Sequence, residues 1–245
     1  SARRLRWTAL LASLSLGLAL VPASVPAAQA EGVLERVART GTLQLEGMAD
    51  QPPLLSLDRQ GRPQGYAVLV ADRVAALLSQ ALGRPVQLGF QNVSDPAQLA
   101  ARLGSGQSDL ACGVMFTWAR ENTLDFTLPI GVSGLRLLAP AGRFTGAPEA
   151  LAGRRIGVLA GSLAETELRG MQPAAKPVTF SDLPAALTAL TSGQVEGVIG
   201  DASLLAGQVR ERSLSGLALT PDMPYERYAV ACAVPENDSA YRDLV

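Results

Sequence analysis

Arg120 and Asp201 are the residues whose setting most suits chemistry with a small charged molecule. Each follows one copy of a short internal echo. Leu103 to Gly113 reads LGSGQSDLACG and Leu190 to Gly200 reads LTSGQVEGVIG, with five of eleven positions identical at an offset of 87 residues. The first copy leads into Met115-Phe116-Thr117-Trp118-Ala119-Arg120 and the second directly into Asp201. Related βα units in two lobes would present a hydroxyl and a guanidinium from one side and a carboxylate from the other. That set suits a small zwitterion, because guanidinium offers a two-pronged donor matched to a carboxylate. Blander readings stand beside it. Arg120 could pair with Glu121 or Asp125 on a solvated surface, Asp201 could only cap the helix that follows, and Ser-Gly recurs by chance at helix-to-strand connections.

Composition removes several classes of chemistry. The 245 residues contain no histidine, the commonest general base and zinc ligand, so serine-histidine and cysteine-histidine catalysis are excluded. Two cysteines cannot build a metal site alone, and no cofactor is implied. Cys112 and Cys232 either pair as one disulfide in an exported chain or stay as buried thiols. Residues 31–245 carry 18 basic and 22 acidic residues, a net charge of −4. This argues against nucleic acid or an anionic membrane surface as partner.

Residues 1–30 read as a secretory signal: Arg3, Arg4 and Arg6, an uncharged apolar stretch from Ala9 to Val21, and the small-x-small site Ala28-Gln29-Ala30. No later segment is long and apolar enough to span a bilayer. The expected location is therefore periplasmic or extracellular.

The elements that must position these groups alternate. Strands are expected at Leu43–Met48, Pro85–Phe90 and Asp109–Val114, with helices at Gly32–Arg39, Tyr66–Leu82 and from the Ser94 or Asp95 cap to about Leu103. The pattern restarts with strands at Arg155–Leu159, Pro177–Phe180 and Val195–Ile199. Helices there are expected at Leu163–Arg169, Leu183–Leu190 and Ala202–Arg212. Such alternation implies an α/β fold with mostly parallel sheets flanked by helices. The extended Leu124–Pro140 segment and a return through Tyr225–Val234 give a discontinuous first lobe, 31–130 plus 226–245. The second lobe is 136–224, with hinge crossings near 130–136 and 224–228.

The segments GTLQLEGMADQPPL, GYAVLVADRVAALL, LGSGQSDLACGVMFTWARENTLDFTLP, DASLLAG and YAVACAVPEND, in this order, resemble the bacterial periplasmic solute-binding proteins of family 3, the polar amino-acid type. The resemblance covers about residues 33–245. It also extends to the orphan binding-protein-like component of cyanobacterial glycine-rich-peptide clusters. It implies a type II periplasmic-binding-protein fold, a ligand cleft between the lobes, and a monomer that delivers an amino acid or small carboxylate to an ABC transporter permease.

Carried onto this sequence, the resemblance gives Arg120 the ligand α-carboxylate, Asp201 its α-ammonium, and Thr117 a hydroxyl beside Arg120. Gly161 and Ser162 would offer an N–H group and a hydroxyl at a helix start, and the loop with Asp50 and Leu54 would touch the ligand. The pattern departs from the family at Leu54, where an aromatic is usual, and at Met115, where a hydroxyl is usual. Tyr66-Ala67-Val68-Leu69 also replaces an aromatic-Asp-x-Asp pattern. Met115 and Leu54 motivate one alternative to transport, a peptide- or protein-interaction module with a decayed ligand site. The resemblance itself implies another, since some members of the family are dehydratases: a cyclohexadienyl dehydratase-like enzyme using Glu165 or Glu167 as acid. The expectation is a binding protein, not an enzyme.

Overall fold

The computed structural model describes residues 31–94 and 96–245. The expected signal segment and an Asp95 cap lie outside the described residues. The first half runs α1 (Val33–Thr40), β1 (Thr42–Gly47), β2 (Asp50–Gln51), β3 (Leu55–Leu57), β4 (Pro63–Gln64), α2 (Tyr66–Leu82), β5 (Gln87–Asn92), α3 (Pro96–Gly104), β6 (Ala111–Met115), α4 (Trp118–Glu121), β7 (Asp125–Phe126) and β8 (Gly131–Pro140). After a 3₁₀ turn at Pro148–Leu151 come β9 (Arg155–Leu159), α5 (Leu163–Met171), β10 (Lys176–Phe180), α6 (Leu183–Thr191), β11 (Gly197–Asp201), α7 (Ala202–Glu211), β12 (Leu217–Thr220), β13 (Glu226–Val234) and α8 (Ser239–Arg242).

In the first lobe β1 pairs in parallel with β5, and a parallel bridge at Leu45 and Leu110 ties it toward β6. Helix α2 covers these strands with Ala67, Val68, Ala71, Val74, Ala75 and Leu78. A helical spacing of the larger apolar residues alone would bury Val70, Val74, Leu77, Leu78 and Leu82, yet only Val74 and Leu78 of these are fully covered and Leu77 is exposed. The alanines decide the difference, since small side chains let the helix axis sit close to the sheet. Leu43, Leu45, Leu78 and Leu110 are fully buried there. Truncating any one of them to alanine costs about 2–5 kcal/mol, from lost transfer energy plus the cavity left behind.

In the second lobe β10, β9 and β11 are parallel, and β11 then meets the antiparallel β8. Side-chain alternation along these strands feeds two cores. Leu137, Ile156, Val158 and Ile199 face α5, whereas Leu138 and Val198 face α6 and α7 with Leu187 and Leu205.

The parallel strands are thus extended by antiparallel ones, which helix-strand alternation alone does not reveal. β12 pairs with the end of β8. β13 pairs with β8 over Glu226–Val230 and continues onto β6 over Val230–Ala233. Two antiparallel strands therefore carry the chain from one lobe to the other and back. Cys232 on β13 lies opposite Cys112 on β6 and the two are joined as a disulfide, which resolves the thiol alternative.

The internal echo is structural. Gly106 and Gly193 both adopt positive φ, 71° and 74°, to end α3 and α6. Their N–H groups donate to Leu103 and Leu190, and Gln107 and Gln194 donate to Arg102 and Ala189, the same bonds shifted by 87 residues. The acids of the echo also act alike: Asp109 accepts from the Gln44 N–H of β1 at 2.8 Å and Glu196 from the Arg155 N–H of β9 at 3.2 Å. Each copy thus uses a carboxylate to lock its turn to a neighbouring strand.

Candidate functional site

A cavity of about 270 Å³ opens between the lobes, a size that matches a small molecule of amino-acid dimensions. Its walls are chiefly aliphatic, with Leu54, Met115 and Leu124 from the first lobe and Leu159, Leu183 and Leu204 from the second. Arg120, Glu46, Ser162, Asp201, Tyr228 and Thr123 supply the polar functions.

Arg120 sits just past the end of β6, on the four-residue helix α4. Thr117 caps that helix, its hydroxyl accepting the Arg120 N–H at 3.2 Å, so its role here is to fix the turn that aims the guanidinium. The guanidinium donates to the Met115 carbonyl at 2.8 Å. It pairs with neither Glu121 nor Asp125: among the described residues Asp125 is engaged by Arg242 and the Asn237 N–H instead. Burial lowers the Arg120 pKa below its ordinary value, the signature of a charge removed from water without a neighbouring anion to compensate it.

Asp201 ends β11 and caps α7. Its Oδ1 accepts the Ser203 and Leu204 N–H groups at 2.9 and 3.1 Å and the Ser203 hydroxyl at 2.5 Å. Its Oδ2 accepts the Tyr228 hydroxyl at 2.6 Å. Burial first, and the Asp201 charge next, push the Tyr228 phenol far above its ordinary value, so it stays a donor at every physiological pH. The capping reading of Asp201 is therefore real. A carboxylate offers about four lone-pair sites, and Oδ2, with one donor, keeps room for another.

Ser162 lines the cavity, but its hydroxyl is committed locally, donating to the Leu159 carbonyl at 2.7 Å and accepting the Glu165 N–H at 3.3 Å. Glu165 reaches back to the Gly161 N–H at 2.9 Å, a reciprocal cap of α5. This corrects the expected anion-binding use of Gly161: its N–H is already occupied, and it is not among the cavity-lining residues. Glu165 also pairs with Arg169, which together with the Gly161 N–H holds its carboxyl below the ordinary range. Neither Glu165 nor Glu167 lines the cavity, so neither is placed to act as a cleft acid.

Asp50 is exposed and also off the cavity wall; its carbonyl, not its carboxylate, is used, accepting from the Gln208 side chain of α7 at 2.8 Å. Leu54 and Met115, by contrast, both line the cavity.

Tyr228 and Glu46 are among the wall residues that were not foreseen. Tyr228 was hidden in an apolar run that reads only as a strand. Glu46 had a visible signal, as the one acid on the strand Thr42-Leu43-Gln44-Leu45-Glu46-Gly47, and it is 1% exposed. Its Oε2 accepts from the Ser108 hydroxyl at 2.5 Å and Arg102 Nε at 2.9 Å, while Oε1 has no hydrogen-bond partner among the described residues. Burial raises the Glu46 carboxyl above its ordinary value, opposed by Ser108 and Arg102. Among the described residues no cluster of His, Cys, Asp or Glu fits a metal ion, and no helix is long and apolar enough to cross a membrane.

Residues 43–243 match the bacterial extracellular solute-binding proteins, family 3. The chain is 24% identical to the L-glutamate/L-aspartate-binding protein of Pseudomonas aeruginosa, over 96% of this chain and 80% of that protein. Among solved structures, an ancestral amino acid-binding protein described as a precursor of cyclohexadienyl dehydratase superposes with TM-score 0.73 at 20% identity, covering 87% of this chain and 89% of the other. An ancestral arginine-binding protein bound to glutamine gives TM-score 0.71 at 24% identity, covering 83% and 88%. These likenesses show the two-lobed fold.

Proposed function

The chain belongs to family 3 of the bacterial extracellular solute-binding proteins, and from that premise we propose that it captures an amino acid between its lobes for delivery to an ABC-type importer. The observation that carries this reading is Arg120: a partly buried guanidinium without an acidic partner among the described residues, opening on the same cavity as Asp201 of the other lobe. A ligand α-carboxylate would take the free face of the guanidinium, and its ammonium would approach Asp201 Oδ2. Both contacts exist together only when the lobes are closed, so binding energy favours closure. Thr117 acts behind Arg120 as the cap of α4, and Leu54 and Met115 replace polar or aromatic contacts with aliphatic wall.

The lobes in this reading are 31–130 with 226–245, and 136–224. The hinge lies where β8 and β13 run together between them. The protein works as a monomer in the periplasm after loss of the first 30 residues, and its docking partner is a transporter permease. The acids needed for the dehydratase reading, Glu165 and Glu167, are off the cavity wall, and the intact pairing of Arg120 with an open cavity supports transport over a decayed site. A thermal-shift screen of residues 31–245 against amino acids and small carboxylates tests the proposal. A ligand at 100 times its dissociation constant stabilises by about 2.7 kcal/mol, which for this size raises Tm by roughly 5–10 °C. No shift with any amino acid would refute it.

A further inference from the structure

An α-amino acid whose carboxylate lies on Arg120 and whose ammonium lies near Asp201 turns its side chain into the rest of the cavity. The remaining lining residues then decide what that side chain can be. Among the described residues of the lining, the charged ones are Glu46, Arg120 and Asp201. Glu46 is closed off, its side chain 0% exposed and paired with Arg102. The hydroxyls are committed within the protein: Ser162 donates to the Leu159 carbonyl at 2.7 Å, Thr123 to the Arg120 carbonyl at 3.2 Å and Tyr228 to Asp201 at 2.6 Å. Gln51 is neutral, and its amide nitrogen meets the Met48 sulfur at 3.9 Å. A second charge on the ligand would therefore be buried without a partner among these residues, at a high cost.

Hydrocarbon faces the same space from both lobes. Leu54, between β2 and β3, lines the cavity from the first lobe. Leu159 at the end of β9, Leu163 at the start of α5 and Leu204 in the first turn of α7 line it from the second. All four are half-buried, and each packs against the core of its own lobe, which fixes the face it turns to the cavity. Leu54 is held further by Gly113 of β6, at a positive φ of 87°: its methyls occupy the place where a Cβ on that glycine would stand. We propose that the ligand is an amino acid with an uncharged aliphatic side chain, received by the wall of Leu54, Leu159, Leu163 and Leu204. This rests on reading the cavity as an amino-acid site. Filling it with hydrocarbon removes apolar surface of protein and ligand from water together. The acidic ligands for which the Pseudomonas relative is named would bring a second carboxylate with no second cation in the lining to meet it.

The test is calorimetric titration of residues 31–245 with a homologous series (alanine, 2-aminobutyrate, norvaline, norleucine and leucine) and with glutamine, lysine, arginine, glutamate and aspartate. Each added methylene should tighten binding by about fourfold, so leucine should bind about 50-fold better than alanine. Glutamine, close to norleucine in size, should bind at least about tenfold more weakly than norleucine, and the four charged amino acids at least about 100-fold more weakly. Leu54→Asn and Leu204→Asn, which keep the size and branching of the side chain, should each weaken leucine by about tenfold or more. Alanine should stay within about threefold in both, which checks that the cavity remains folded. Tightest binding by glutamine or by a charged amino acid overturns the assignment and leaves the amino-acid reading standing. Affinities within twofold of one another from alanine to norleucine overturn it as well. So does an unchanged affinity for leucine in both variants. No binding by any amino acid of the panel instead defeats the amino-acid reading, and this assignment with it.

Discussion

Gly207 sits where α7 of the second lobe meets the Pro52-Pro53 loop of the first. A Cβ built there overlaps the Pro52 carbonyl and lies 2.5 Å from Pro53 Cδ. Both obstacles are main chain or ring, so neither can rotate away. Ordinary carbon contact needs about 3.5 Å, and Gly207→Ala must therefore push the lobes apart by roughly 1 Å at this point. The neighbouring Gln208 side chain, which crosses to the Asp50 carbonyl at 2.8 Å, is drawn away with it. Overpacking of this kind costs about 1–3 kcal/mol and the lost hydrogen bond about 0.5–1.5 kcal/mol. The total, about 1.5–4.5 kcal/mol, weakens ligand binding by about 10- to 2,000-fold. The open form feels none of this. Alanine is a better helix residue than glycine by up to about 1 kcal/mol, so the ligand-free protein should melt at the same temperature or slightly higher. Calorimetric titration and ligand-free melting on the same samples separate the two effects. Ligand affinity within twofold of the parent would refute the idea that this contact belongs to the closed state.

Further outcomes follow from other parts of the site. Asp201→Asn keeps the N-cap but loses the charge-assisted bond from the Tyr228 hydroxyl, so melting should fall by roughly 3–6 °C for a loss of about 1.5 kcal/mol, while the lost charge also lowers ligand affinity by about tenfold or more; unchanged affinity would reduce Asp201 to a cap. Replacing both Cys112 and Cys232 by serine opens a closure of 120 residues and should cost about 2–5 kcal/mol, seen as a Tm drop of roughly 5–15 °C; an unchanged melt would show that the bridge adds nothing. Because burial raises the Glu46 carboxyl above its ordinary 4.5, its contribution favours folding below the unfolded value and is lost as pH rises through the folded one. The stability of Glu46→Gln relative to the parent should therefore improve between about pH 4 and pH 7, and denaturant melts across that range would show no such trend if the carboxyl were not burdened by burial.

How much of this could be read from the sequence depends on whether the signal was local. Tyr66–Leu82 emerged at its exact bounds, because a helical apolar period, a preceding glycine and a closing Gly83 all lie within the segment. The echo at Leu103 and Leu190 announced two equivalent turns for the same reason. Strands β12 and β13 show the opposite case. Their antiparallel pairing with β8 depends on partners more than 75 residues away, and nothing in Leu217–Thr220 itself marks it. Arg120 was legible as chemistry, but its lack of an acidic partner was not, since Glu121 and Asp125 are close in sequence and turned away in space. Gly161 misled because a glycine-serine helix start looks like an anion site whether or not a glutamate one turn on has closed it. Glu46 carried its message in one letter, and only burial gave that letter weight.

The central claim, that Arg120 receives the carboxylate of an amino acid in the cavity between the lobes, is tested most directly by one titration. Residues 31–245 and the Arg120→Ala variant would be titrated with the amino acid that binds the parent best. The account predicts saturable one-to-one binding by the parent and a loss of at least about 100-fold in the variant, because a buried charge-assisted pair is removed from both partners. Equal binding by the two proteins would contradict it.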